Sequence, residues 1–251
     1  MPIVRLCEFL YPLFSHIVYL GGTMNIGIFG TGGVARAIAA KLVTLGHSVM
    51  LGTRNVEETK NRTQGDNMGN PSFKEWLEKN ASVSVGTFAE AAAFGEMLMN
   101  ATSGGGSLPA VAAAGENALQ GKILIDISNP LDFSKGFPPS LSISNTDSLG
   151  EQIQRAHPAL KVVKAFNTLS NPLMVDPQLV NGGDHTLPIC GNDAEAKQKV
   201  TALLNTFGWK SENILDLGDI TNARGTEAFL LLWVRMYGAF KTPMFQFKIV
   251  K

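Results

Sequence analysis

The chain reads as an α/β protein, a Rossmann-type doubly wound parallel sheet with a small C-terminal α/β lobe. Three observations predict it. Short apolar runs rich in β-branched residues alternate with helix-like segments, the pattern of a parallel sheet covered on both faces. A glycine-rich turn follows the first run and opens a helix, as in a βαβ nucleotide-binding unit. After Asn167 the alternation gives way to about 80 residues of mixed character, enough for a small lobe only.

In order, the runs are "NIGIF" at 25–29, a helix from about Gly33 to Leu45, "SVML" at 48–51, a helix near Phe73 to Lys79, "SVSV" at 82–85, "EMLMN" at 96–100, "KILIDI" at 122–127 and "KVVKAFN" at 161–167. Beyond Asn167 come "HTLPICG" at 185–191, a helix from about Asp193 to Phe207, "NILDL" at 213–217 and an apolar helix around 226–240. The Leu230-to-Val234 run in that helix is too short to cross a bilayer and precedes Arg235, so it reads as buried. The tail "FQFKIVK" alternates Phe245, Phe247 and Ile249 with Gln246, Lys248 and Val250, a half-buried strand pattern that pairs within the lobe or across a dimer. Residues 24–168 form the nucleotide-binding domain on this reading and 169–251 the lobe. Residues 1–23 carry an apolar stretch interrupted by Glu8, Pro12 and His16 and read as an extension outside the fold, with an interfacial leader or a packed accessory piece as alternatives.

The 21 basic residues are matched by 21 acidic ones, so no long-range field draws the chain to nucleic acid or to an anionic membrane. Neither partner is expected. Cys7 and Cys190 form no metal spacing and no C-x-x-C, which suits a reducing compartment and a cytoplasmic protein without a metal site.

Gly30-Thr31-Gly32-Gly33-Val34-Ala35 is a G-x-G-x-x-A sequence. Gly30 permits a tight turn out of the strand, Gly32 lets the backbone approach a pyrophosphate, and Ala35 allows the helix to pack closely on the strand. The amides of that helix's N-terminus then face the phosphates. The alternative is a plain strand-to-helix turn. About twenty residues on, where an NAD-binding chain carries an acid for the ribose hydroxyls, this chain has Thr53, Arg54 and Asn55. A guanidinium pairs with a phosphate dianion through two parallel bonds, so this stretch predicts NADP(H); a solvated turn arginine is the alternative.

Open α/β sheets hold ligands at the carboxyl ends of their strands. Asn100, Ala101 and Thr102 follow one run, Ser128, Asn129 and Pro130 the next, and Phe166, Asn167 and Thr168 a third. The first two sets are expected at the nicotinamide half of the cofactor, with Asn167 and Thr168 toward the substrate and the Gly104-to-Gly106 run supplying space or mobility. No H-E-x-x-H, G-x-S-x-G or P-loop occurs, and His16, His47, His157 and His185 lie in no catalytic context. No catalytic side chain is named, and that favours hydride transfer between two redox rings, where stacking and orientation matter more than an acid or base.

In order and spacing, "MNIGIFGTGGVARAIAAKL", "LGTRN", "DISNPL" and "VVKAFNT" resemble the coenzyme F420-dependent NADP oxidoreductase family, and they are similar to the cytosolic reductase domain of the six-transmembrane epithelial antigen metalloreductases. The similarity extends through "CGND" at 190–193 to "NARGTEAF" at 222–229. The resemblance implies that Gly30 to Ala35 hold the pyrophosphate, that Thr53 and Arg54 hold the adenosine 2′-phosphate, and that residues near Asn100, Asn129 and Asn167 border the stacked rings. Two features depart from it. Family members often place another basic residue one turn after the arginine, where this chain has "NVEET", and Asn167 stands where deazaflavin reductases of the family can have a histidine.

The function expected is hydride transfer between NADP(H) and a small-molecule redox acceptor, a flavin (FAD or FMN) or a deazaflavin such as coenzyme F420, by a homodimer joined through the C-terminal lobe. An imine or 3-hydroxy-acid reductase is a second possibility, although those folds need a large helical second domain. A non-catalytic NADP(H)-binding sensor is a third, with its "SGGG" loop closing on a protein.

Overall fold

The computed structural model describes residues 22–65 and 69–250. Of the segment read as an extension, only Gly22 and Thr23 fall among them, both exposed. The chain runs through β1 (Asn25–Phe29), α1 (Gly33–Thr44), β2 (Ser48–Thr53), α2 (Val56–Lys60), α3 (Phe73–Lys79), β3 (Ser84–Thr87), α4 (Phe88–Phe94) and β4 (Met97–Asn100). It continues with α5 (Gly104–Ala114), α6 (Glu116–Leu119), β5 (Ile123–Asp126), an antiparallel pair of β6 (Leu131–Asp132) and β7 (Ser140–Leu141), α7 (Leu149–Ala156) and β8 (Lys161–Lys164). Last come α8 (Asn171–Val175), β9 (Leu187–Gly191), α9 (Ala194–Thr206), β10 (Ile214–Asp216) and α10 (Ala223–Phe240).

Eight strands form one sheet in the order β10-β9-β8-β5-β4-β1-β2-β3. From β1 the chain winds outward through β2 and β3, then crosses back to β4 and winds the other way. The reversal lies between β1 and β4, where open α/β sheets bind their ligands. Every neighbouring pair is parallel except β8 and β9. The carboxyl ends of β1, β2, β4, β5 and β8 therefore share one edge. The C-terminal α/β part is built onto this sheet through β9 and β10, and does not form a sheet of its own.

Alternate side chains of the strands enter two cores. Ile26, Ile28, Met97 and Met99 pack against α1, α3, α8 and α9 on one face, while Phe29, Leu98 and Leu124 pack against α4, α5 and α7 on the other. The second face is tight at β1. A Cβ at residue 27 would lie 2.2 Å from the Ala91 carbonyl oxygen, so the α4 backbone rests directly on the strand.

Two expectations change. The Gly104-to-Gly106 run is the first turn of α5 and not a mobile loop. A Cβ on Gly104 would lie 2.2 Å from the Asn129 carbonyl oxygen, so the glycine serves close packing against the loop after β5. The tail over 245–250 forms no strand within this chain, its backbone meeting the sheet at Thr186, the residue before β9. The Thr186 amide donates to the Phe247 carbonyl and the Thr186 hydroxyl accepts from the Ile249 amide, and the aromatic rings of the tail pack on α10, Phe247 against Phe229 and Phe245 against Trp233.

One charged cluster enters the core. Lys164, the last residue of β8, sits in register with Asp126, the last residue of β5. Its ammonium lies 2.8 Å from Asp126 Oδ2 and 2.7 Å from Glu227 Oε1 on α10, and donates to the Ser128 carbonyl at 2.6 Å. Glu227 also accepts from the Leu149 and Gly150 amides at the start of α7, at 2.8 and 3.0 Å. Burial alone would lower the Lys164 pKa, but the Asp126 and Glu227 carboxylates outweigh it and hold it above the ordinary lysine value.

Two outcomes follow from this packing. Gly27→Ala forces β1 and α4 apart and lowers stability by about 1–3 kcal/mol in denaturant titration; an unchanged midpoint would show that the contact yields without cost. Lys164→Met strands two buried carboxylates and costs about 3–5 kcal/mol, and a loss below about 1 kcal/mol would show that water reaches the cluster.

Candidate functional site

The edge at the carboxyl ends begins with the glycine turn. Gly30 has φ +117°, a conformation that favours glycine, and a Cβ there would lie 2.7 Å from the Ala101 carbonyl oxygen. The turn after β1 is thus pressed against the loop after β4. Gly32 by contrast faces open space, with nothing within 4 Å of where a Cβ would stand. It is the N-cap of α1 and supplies no side-chain cap, and no acid lies in the first turn. The opening amides of α1 are left for an anion. Gly33 lies beside Asn70, Val34 is half-buried, and Ala35 is fully buried between α1 and the sheet. A pyrophosphate fits this cradle, which a side chain at Gly32 would fill.

At the end of β2, Thr53 is half-buried with its hydroxyl 2.9 Å from that of Thr59 on α2. Arg54 is exposed. Asn55 caps α2, its side-chain oxygen accepting from the Glu58 amide at 3.1 Å, so only its Nδ2 donor is left for a ligand. Arg62, which sequence reasoning missed, comes back to the glycine turn: its Nη2 lies 3.2 Å from Thr31 Oγ1 and 3.4 Å from the Thr31 carbonyl oxygen. Nothing in the local sequence signals that contact, since it depends on the path of the chain between α2 and α3.

The other end of the cleft is a network of uncharged groups over the buried charges. Asn100 is fully buried; it donates to Asp126 Oδ1 at 2.8 Å and accepts from the Thr102 hydroxyl at 2.7 Å. The Thr102 hydroxyl also meets Ser107 at 3.0 Å, at the start of α5. Asn100 therefore shapes the Ala101-Thr102 turn from beneath. Asp126 Oδ1 also accepts from the Ser128 hydroxyl at 2.7 Å. The detectable signal was one acid and one base closing two apolar strands, Asp126 in "LIDI" and Lys164 in "VVKA".

Asn129 and Asn167 pair across the ends of β5 and β8. Asn129 Nδ2 donates to the Asn167 carbonyl at 2.8 Å, and Asn167 Nδ2 donates to Asn129 Oδ1 at 3.0 Å. Pro130 is buried behind Asn129, beside Gly104. Phe166 has φ +66°, unusual for an aromatic residue. Packing near Phe207 and Trp209 holds it there and sets the direction of the next two residues. Asn167 and Thr168 are only 2% and 1% exposed, yet Asn167 Oδ1 and the Thr168 hydroxyl have no hydrogen-bond partner. The structure thus brings Asn129, Asn167 and Thr168 together, while the Thr53–Arg54 end and the glycine turn lie further along the same edge. The charged groups that close β5 and β8, Asp126 and Lys164, are enclosed and paired with each other. Among the described residues, no helix is long and apolar enough to cross a membrane.

Comparison with known proteins agrees with this geometry. The model of the family described as NADP oxidoreductase, coenzyme F420-dependent, matches residues 25–130. The chain is 31% identical over 220 residues to the metalloreductase STEAP3 of Rattus norvegicus, covering 87% of this chain and 38% of the rat protein. It is 31% identical over 125 residues to the F420-dependent NADP reductase of Methanocaldococcus jannaschii, covering 49% of this chain and 54% of that protein. The chain thus spans about half or less of these curated relatives. A crystal structure from Arthrobacter sp. FB24, classed as an F420-dependent NADP-reductase, superposes with a TM-score of 0.85 at 49% identity, over 91% of this chain and 100% of that one. A reductive aminase of Aspergillus terreus in complex with NADPH superposes with a TM-score of 0.57 at 17% identity, over 87% of this chain and 63% of that one, and so shares the fold. The glycine cradle, the arginine after β2 and the whole-length match to the Arthrobacter structure place the chain in the coenzyme F420-dependent NADP oxidoreductase family.

Proposed function

We propose that the chain binds NADP(H) along this edge and passes hydride between its nicotinamide and the ring of a flavin or deazaflavin of the coenzyme F420 type. The observation that carries the cofactor half is an open, uncapped helix start beside a strand end that carries Thr53 and Arg54 in place of an acid. The α1 amides hold the pyrophosphate, and Thr53 and Arg54 take the 2′-phosphate. When bound, the reduced nicotinamide supplies the hydride. Asn129 and Asn167 offer amide groups at the far end, and the buried Asn100 network fixes the turn beneath. The polar atoms left unpaired on Asn167 and Thr168 support a ligand-facing role for that corner.

Ring-to-ring transfer is favoured because the charged groups at the ends of β5 and β8, Asp126 and Lys164, are enclosed and paired, leaving orientation as the protein's contribution. The sensor reading loses its particular support, since the "SGGG" segment begins α5 and is not a loop free to close on a protein. The compartment we propose is the cytoplasm, and the oligomer a homodimer. Leu232 and Phe240, two turns apart on one side of α10 and 55% and 57% exposed, form the apolar surface that a second copy would cover.

Three measurements test this reading. Purified protein with NADPH should reduce at least one of FAD, FMN and coenzyme F420 above background, and silence with all three would remove the transfer reaction. Arg54→Ala should weaken NADPH by about 2–3 kcal/mol in calorimetry and leave NADH nearly unchanged; equal loss for both would refute the phosphate clamp. Leu232→Glu should shift the mass found by light scattering from dimer toward monomer, and a monomeric wild type would end the dimer proposal.

A further inference from the structure

The adenosine end of the cleft holds a second arginine whose surroundings fix it in place. Both the backbone and the side chain of Arg62 are anchored. Its carbonyl accepts from the Lys74 amide at 3.2 Å, inside the first turn of α3. Its guanidinium carbon lies 5.4 Å from the centroid of the Phe73 ring, within cation–π range. Phe73 is 1% exposed, and the Ser72–Glu75 capping box sets the start of its helix. The ring is therefore a rigid floor for the guanidinium.

The far side of that guanidinium meets Thr31, the residue between the first two glycines of the cradle. The Gly30 amide still donates to the Gly52 carbonyl at 2.9 Å, so Thr31 leaves β1 beside the end of β2, where Thr53 and Arg54 emerge. Arg62 thus reaches the turn from the connection to α3, beside the strand end at which the exposed Arg54 follows Thr53. The contacts to Thr31 use Nη2 alone, and a guanidinium carries five N–H donors. An oxyanion arriving beside Thr31 would accept from Arg62 and exchange a contact to a neutral hydroxyl for one between opposite charges.

We propose that Arg62 is the second cation of a two-arginine clamp for a phosphomonoester on the adenosine 2′ position. This deepens the NADP(H) reading and rests on it. It also accounts for a sequence that offers "NVEET" directly after Arg54: the second positive charge is delivered from beyond α2 and not from within it.

The test is calorimetric titration at low salt of wild type, Arg62→Ala and Arg62→Lys with NADPH, NADH, adenosine 2′,5′-bisphosphate and adenosine 5′-monophosphate, with circular dichroism to confirm folding. Arg62→Ala is expected to weaken NADPH and the bisphosphate about tenfold or more and leave NADH and the monophosphate unchanged. Arg62→Lys should recover part of the loss, because it keeps the charge and gives up the fork. Unchanged NADPH affinity in Arg62→Ala, or equal losses for NADPH and NADH, would overturn the assignment while the wild type's own preference for NADPH stood. A wild type that binds NADPH no tighter than NADH would overturn the cofactor reading and this assignment together.

Discussion

Strand β1 is approached by backbone from two directions at separations that leave no room for a side chain. Beneath it the α4 carbonyl of Ala91 occupies the space a Cβ of residue 27 would need, and at its end the Ala101 carbonyl does the same at Gly30. These contacts bring α4 down onto the sheet and press the loop after β4 against the turn after β1. The turn after β1 and the loop after β4 are in backbone contact for that reason. The turn is also open at one point, Gly32, where no protein atom stands near. A dinucleotide site needs both conditions, tight support and a bare helix start, and here they lie two residues apart.

The buried ion cluster does for the far end what glycine packing does for β1. Asp126 spends one oxygen on Lys164 and the other on Asn100 and Ser128, so the ends of β4 and β5 share a single acceptor. Glu227 carries the connection to the α7 N-terminus and to α10. A buried ion pair adds little net stability against an apolar replacement, and breaking one partner is costly. The cluster is better understood as a geometric lock: the strand ends that carry the Asn100, Asn129 and Asn167 loops are held by bonds with strict directions. Removing any member leaves an unsatisfied charge in the core, which discourages alternative arrangements of those loops.

Much of this could be read from the residues. Continuous apolar runs gave the strands, because a strand buried on both faces has no polar alternation to conceal it. The glycine turn and Thr53-Arg54 were legible because they act through local backbone and charge. What escaped was of two kinds. Helices α4 and α7 are short, yet each opens on a Thr or Ser followed three residues later by Glu, at Thr87–Glu90 and Ser148–Glu151, a signal that was present. The Gly104-to-Gly106 run looked like a loop by composition, and only its packing against Asn129 explains why a helix begins there. Arg62 and Glu227 escaped for a different reason: they reach their partners Thr31 and Lys164 across 31 and 63 residues of chain, and no local pattern encodes such a meeting.

Charge is distributed unevenly along the cleft, and this bears on how the chain divides its work. Exposed positive charge gathers beside the glycine turn, on Arg54 and Arg62, while the other end presents amides and hydroxyls above an enclosed cluster of one ammonium and two carboxylates. Binding energy drawn from a part of the cofactor remote from the reaction can be used to hold the reacting part in one orientation. A strong anchor at the 2′-phosphate would then allow the nicotinamide end to stay neutral and weakly gripping. An acceptor ring of the proposed kind would enter and leave there, and a charge left facing it would favour one redox state of the pair over the other. The asparagine pair has no charge to impose that bias, and its bond across the ends of β5 and β8 keeps its amides in place through each exchange.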